Sequence, residues 1–267
     1  MVDKIKVLFL AANPVDAGFR LRLDEEIREI GKKLRIGEFR DSFELVSEWA
    51  VRASDLQEAL LRHRPHIVHF SGHGTRTEGI VLEDSAGNMK PVNKVALARL
   101  FELLKENIQV IVLNACYAED QAKGLAQTID YTIGMNHRIG DKAAIVFAAY
   151  FYQALAFGNS VTKAFELARL QLDLDEVPGS SVPELLIRDG LDQSRPFLKK
   201  SMTRVDKQST QKRKRTGDGG NISVGGNVEG SILLTGNQHS VYVSHRGESE
   251  APLESQSKRR EIDDGDD

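Results

Sequence analysis

The chain reads as an α/β protein, an α/β/α sandwich whose central sheet is largely parallel. Three observations predict this. Short apolar runs recur at Lys6–Ala12, His66–Phe70 and Ile108–Leu113, and such runs are strands buried on both faces. Segments with helical apolar spacing alternate with them, which is the pattern of parallel strands joined by crossover helices. The 267 residues are 40% hydrophobic and 28% charged, enough core to fold without disulfide staples.

Taken in order, Lys6–Ala12 is the first strand, ended by the Asn13-Pro14 turn. A helix is predicted over Phe19–Leu34, from Leu23, Ile27, Ile30 and Leu34 at helical spacing, with Gly37 just past its end. Phe43–Val51 alternates as a second strand, and Ser54 is the expected N-cap of a helix over Asp55–His63 that Pro65 stops. After His66–Phe70, Gly79–Glu83 and Met89–Val92 flank the turn Asp84–Gly87 as a hairpin, with Pro91 favouring its edge. A helix over Asn93–Glu106 leads to the Ile108–Leu113 strand, followed by a helix over Glu119–Ile129 and a strand at Tyr131–Met135. Helices over Asp141–Phe157 and Ser160–Leu174 and a last strand at Leu185–Arg188 complete this part.

Composition divides the chain into four. Residues 1–198 form the α/β domain, and 199–219 read as a basic linker centred on Lys212-Arg-Lys-Arg215. Gly-Asn recurs at 220, 226 and 236, so 220–245 reads as short strands joined by Gly/Asn turns. So few strands are marginal alone, which suits an interaction tag that pairs with a partner. Residues 246–267 form a polar tail with an acidic end, expected to be disordered.

A net charge of −3 argues against a nucleic-acid binder, and Lys212–Arg215 is read as a solvated linker. The N-terminal Met-Val-Asp-Lys-Ile-Lys has no apolar signal-peptide region. The charge-poor stretch 143–162 carries Gln, Asn, Ser and two Tyr, which suits a buried helix better than a membrane span. One cysteine rules out an intrachain disulfide framework. A cytoplasmic location without membrane contact is expected. No cofactor or metal is expected either. His66 and His69 project to opposite faces of a strand, no His-Glu-x-x-His pair exists, and the 11–18 segment lacks the glycine spacing of nucleotide sites.

That single cysteine, Cys116, follows a buried strand and Asn114-Ala115, while His73 follows another between Gly72 and Gly74. Reactive groups gather beyond the carboxyl ends of such strands. A thiol with an ordinary pKa of ~8.5 needs a base to become a nucleophile, and His73 is the candidate. The glycines allow unusual dihedrals and close approach of a peptide, and the N–H groups of Gly74 and Cys116 are a candidate oxyanion hole. The competing account of a lone cysteine is a small buried hydrophobe, and of Ser71–Gly74 a plain loop.

The residues Leu8-Phe-Leu-Ala-Ala-Asn-Pro14, His66–Gly74, Val112-Leu-Asn-Ala-Cys-Tyr117, Ile133-Gly-Met135 and Ile139–Phe147 together resemble the CHAT family of caspase-like peptidases, related to caspases and separases. The resemblance implies a caspase-like α/β/α fold and a cysteine endopeptidase with His73 and Cys116 as its dyad. In related peptidases an acidic residue holds a basic substrate side chain, which makes Asp141 a candidate here. Helix N-capping is its competing role. Glu83 and Asp84 of the hairpin are alternative wall residues, and Asn114 is a candidate for orienting the site. The 220–245 segment also resembles Gly-Asn-Val-x-Gly-Ser tails on effector domains of bacterial signalling or conflict proteins. The expected function is thus a regulated effector peptidase with a protein or peptide substrate, controlled through the tail, a homo-oligomer or a partner in trans. The alternatives are a non-catalytic interaction module of the same fold and a flavodoxin-like nucleotide binder, the latter lacking a phosphate loop.

Overall fold

In the computed structural model, residues 4–77 and 79–198 are described. The linker, the Gly-Asn segment and the acidic tail expected from the sequence lie outside the described residues. The strands are β1 (Ile5–Ala12), β2 (Phe43–Trp49), β3 (Ile67–Gly72), β4 (Gly74–Thr75), β5 (Gly79–Glu83), β6 (Met89–Pro91), β7 (Val110–Asn114), β8 (Tyr131–Met135) and β9 (Pro183–Ile187). The helices are α1 (Leu23–Arg35), α2 (Ala53–His63), α3 (Lys94–Leu104), α4 (Glu119–Leu125), α5 (Asp141–Ala156) and α6 (Val161–Leu174).

Six strands form the central sheet in the order β2-β1-β3-β7-β8-β9. The first five are mutually parallel, and β9 closes the edge antiparallel to β8. Period-two alternation divides the core. Val7, Phe9 and Ala11 face one layer, which packs Ile30 of α1, Phe147 and Phe151 of α5 and Phe165 of α6. Leu8, Leu10 and Ala12 face the other, with Leu60 of α2, Phe101 of α3 and Leu125 of α4. The chain is therefore the expected α/β/α sandwich with a largely parallel sheet. β4, β5 and β6 make a separate small antiparallel sheet, one strand more than the hairpin read from the sequence.

Asn93 and Ser160 cap α3 and α6 through side-chain oxygens that accept from Ala96 N–H at 3.0 Å and Lys163 N–H at 3.2 Å. The cap of α2 differs from expectation. Arg52 occupies the N-cap position, and the Asp55 carboxylate accepts its N–H at 3.0 Å while Ser54 lies inside the first turn. Gly37 stands just past the end of α1, as expected, and has a packing role as well. A Cβ there would lie 2.3 Å from Cβ of Ala156, so close packing of the α1 exit on α5 requires glycine. The difference of most consequence is at α1, which starts at Leu23. Phe19–Arg22, expected as the first turn of that helix, instead belong to a loop over residues 13–22 tied down by Asn13 and Asp141.

Candidate active site

β3 and β7 are parallel neighbours with Ser71 level with Asn114. Each chain runs two residues further before its candidate reactive side chain, so His73 and Cys116 emerge at the same edge of the sheet. Both line one cavity of 520 Å³. The backbone turns that follow are tight. A Cβ on Gly74 would stand 2.0 Å from the Cys116 carbonyl oxygen and 3.0 Å from its nitrogen, so only glycine lets the two segments touch. Neither Gly72 nor Gly74 has positive φ. Their lack of a side chain is used for approach, not for unusual dihedrals. Tyr117 does have positive φ, 58°, which turns the chain sharply away after Cys116. Its ring packs on His137 and beneath the Arg76 guanidinium, and its N–H donates to the His137 carbonyl.

His73 is buried beneath the 13–22 loop. Its Nε2 lies 3.2 Å from Asn13 Oδ1, its ring also hydrogen-bonds the Phe19 backbone, and the Phe19 ring meets it edge-on at 5.0 Å. Burial lowers the pKa of His73 below the ordinary 6.5, with the Phe19 backbone pulling weakly the other way. The imidazole is thereby biased to its neutral, proton-accepting form. Asn13 is itself held firmly, accepting the Leu21 N–H at 3.2 Å and donating to the Leu21 carbonyl at 3.0 Å. The Cys116 thiol points to the Ile139 carbonyl at 3.9 Å, its hydrogen-bond partner among the described residues. The Cys116 N–H has no partner among the described residues, leaving it available to an incoming oxygen.

Below the dyad lies a buried polar cluster centred on Glu26 of α1, which is 2% exposed. Its Oε1 accepts from His69 Nε2 at 2.8 Å and Asn114 Nδ2 at 2.7 Å, and its Oε2 accepts from the Ser71 hydroxyl at 2.5 Å. Because His69 Nε2 faces a carboxylate, it carries the proton, and Nδ1 meets the Tyr152 hydroxyl at 3.1 Å. Burial and the Glu26 charge raise the Tyr152 pKa well above 10, so it stays a hydroxyl. The sequence held a signal for Glu26. It shares the buried stripe of α1 with Leu23, Ile30 and Leu34, where a lone carboxylate is out of place. Nothing in the pattern pointed to His69 or Ser71 as its partners, because they come from a different element.

Asp141 also lines the cavity but is not the helix cap. Gly140 holds that position, and the Asp141 carboxylate takes Arg22 Nε at 2.6 Å and Arg22 N–H at 3.2 Å. Asn114, 3% exposed, lines the floor. Glu83 accepts the Asn13 N–H at 2.9 Å, and the Asp84 carboxylate is held below its usual pKa by the hairpin-turn amides, chiefly that of Asn88. Both thus have structural partners and neither lines the cavity. No group of three or more metal-ligating side chains occurs among the described residues. No described helix is long and apolar enough to cross a membrane.

The profile of the CHAT domain matches residues 9–197, most of the chain and all of this site. The chain belongs to the CHAT domain family. Its CHAT domain is 27% identical over 199 residues to a Roc-COR-CHAT protease from an unknown prokaryotic organism, covering 69% of this chain and 18% of that protein. It is 25% identical over 154 residues to a probable protease of Gillisia limnaea, covering 57% of this chain and 27% of that one. The chain thus spans about a fifth to a quarter of the length of these relatives. Among solved structures, the CHAT domain is similar to the Arg-specific cysteine proteinase gingipain R, at 9% identity and a TM-score of 0.49, covering 72% of this chain and 47% of that chain.

Proposed function

We propose that the chain is a cysteine endopeptidase of caspase-like type that cleaves a protein substrate through His73 and Cys116. One observation carries this reading: the imidazole and the thiol sit at the carboxyl ends of neighbouring parallel strands on one cavity. In this mechanism His73 takes the thiol proton as the Cys116 sulfur attacks the scissile carbonyl carbon, and returns it to the leaving amine. Water, deprotonated by His73, then hydrolyses the thioester. The N–H groups of Gly74 and Cys116 hold the oxyanion, a role worth roughly 2.7–4 kcal/mol per donor. Asn114 and Asp141 line the part of the cavity that receives the substrate side chain. The chain works in the cytoplasm as a regulated effector of bacterial signalling or defence, and 220–245 recruits the regulator.

The second reading, a non-catalytic interaction module, draws on the thiol facing Ile139 while His73 Nε2 faces Asn13. A thiol-reactive peptide electrophile applied across pH separates the two. A peptidase labels fast at Cys116 below pH 7 and loses that rate in His73→Ala. Slow, equal labelling of both proteins leaves the interaction module.

A further inference from the structure

Helix α6 carries two apolar stripes. Val161, Ala164, Phe165, Ala168 and Leu172 are buried and form its inner face. Leu167, Leu170 and Leu174 recur at three- and four-residue spacing on nearly the opposite side, and they are 39%, 51% and 67% exposed. Lys163, four residues before Leu167, continues this outer stripe into the first turn. Exposed leucines scattered singly are ordinary, but a seam with this spacing is the pattern of a helix that packs on another helix. The charges of α6 also run against its dipole. Its first turn holds Lys163 and no acid, while Asp173 stands in its last turn and Asp175 at its C-cap with no base. α1 has the ordinary order, with Asp24, Glu25 and Glu26 first and Lys32, Lys33 and Arg35 last. Among the described residues the side chains of Lys163 and Asp173 have no ion-pair partner, whereas Glu166 on the same flank pairs with Arg169 of its own helix at 3.8 Å.

We propose that this outer face of α6 binds the same face of a second copy of the chain, with the two helices antiparallel about a two-fold axis. In the register that aligns the stripes, Leu167 of each copy meets Leu170 of the other, and Lys163 meets Leu174. The Lys163 ammonium then reaches the Asp173 carboxylate of the other copy, and the symmetry makes this pair twice. Each helix also lays the positive end of its dipole against the acidic end of its neighbour, which removes the mismatch that α6 has alone. A parallel partner would bring like ends together. A partner of unrelated sequence would leave unexplained why one helix carries both halves of a self-complementary pattern. Three leucines a side make a small interface, so the dimer is weak and depends on concentration. No α6 residue lines the cavity that holds His73 and Cys116, and the inference stands apart from the peptidase reading.

The test is sedimentation velocity on the full-length chain, in reducing buffer so that Cys116 cannot cross-link copies. Over a range of about 5 to 200 μM the wild type should pass from monomer to dimer. Leu170→Glu should stay monomeric throughout, with a melting temperature close to that of the wild type when both are dilute. Lys163→Asp and Asp173→Lys should each weaken the dimer at least about 10-fold, because each sets like charges opposite one another twice. Mixing these two variants in equal amounts should restore the dimer, since one then supplies only carboxylates at these positions and the other only ammonium groups. A wild type that stays monomeric at the highest concentration overturns the proposal and leaves the face to a partner of different sequence. A dimer that survives Leu170→Glu overturns it as well, because another surface then holds the copies together. So does a mixture that fails to recover the dimer, because the helices then do not pair Lys163 with Asp173.

Discussion

The imidazole of His73 is shaped by two neighbours from one loop, and each has a separable effect. Phe19 helps keep water from the ring, and this burial lowers its pKa. In Cys116→Ala protein, where no thiolate complicates the titration, ring NMR should show His73 titrating below 6.5. Adding Phe19→Ala should move it upward. The sign for stability follows: the folded chain binds this proton more weakly than the unfolded chain, so the contribution of His73 is full above pH 6.5 and lost as pH falls through its lowered pKa. Asn13 acts differently, through the 3.2 Å contact to Nε2 that fixes the ring. Asn13→Ala removes one neutral hydrogen bond, so the maximal rate at which a thiol-reactive peptide electrophile labels Cys116 should fall about 3- to 10-fold, with the half-saturating probe concentration little changed. The Asn13-Pro14 pair was legible as a turn. Its contact with His73 was not, because sixty residues separate them in sequence.

Elements meet at this edge through backbone contact rather than through side chains. β3 and β7 approach so closely beyond Gly72 and Asn114 that Gly74 rests on the Cys116 peptide. Gly74→Ala must push these segments apart. Overpacking of this kind costs about 1–3 kcal/mol, measurable by denaturant melting, and labelling of Cys116 should fall much further than stability because the oxyanion donors separate. The link between α1 and α5 is of another kind. Arg22 and Asp141 form an exposed ion pair that anchors the end of the 13–22 loop at the start of α5. Asp141→Asn should leave the melting temperature nearly unchanged and raise KM for peptide substrates, since the loop that walls the cavity loses its anchor. The helical spacing around Leu23 was sound, yet it overran the true start of α1. The overrun covered the loop, whose apolar Phe19 and Leu21 turn to the cavity instead of the helix stripe.

At the scale of the whole molecule, two separate cores clamp one sheet, and the site sits at the sheet's carboxyl edge between α1 and α5. Phe147 and Phe151 of α5 are fully buried against the sheet and stacked on each other at 6.2 Å. Phe151→Ala should cost about 3–5 kcal/mol, seen as a clear fall in melting temperature. The fold class was legible because its carriers are local and periodic: short apolar runs for strands, helical spacing between them, and glycines at their ends. The antiparallel direction of β9 was not, since strand direction depends on how the chain returns from α6 and leaves no mark in the strand's own residues.

The sequence by itself determined that a thiol and an imidazole end two buried strands, and the CHAT motifs around them determined the family. Only the tertiary structure decided that those strands are neighbours in register, since strand order is set by packing across the whole sheet. It also decided where the buried charge lies. Asp141, a candidate for the pocket or the helix cap in the sequence, is bound to Arg22 instead, while Glu26, whose place in the apolar stripe of α1 was its only mark in the sequence, is buried among donors from β3 and β7. The reason is physical: a carboxylate's role depends on which donors and how much water surround it, and folding brings those from residues distant in sequence.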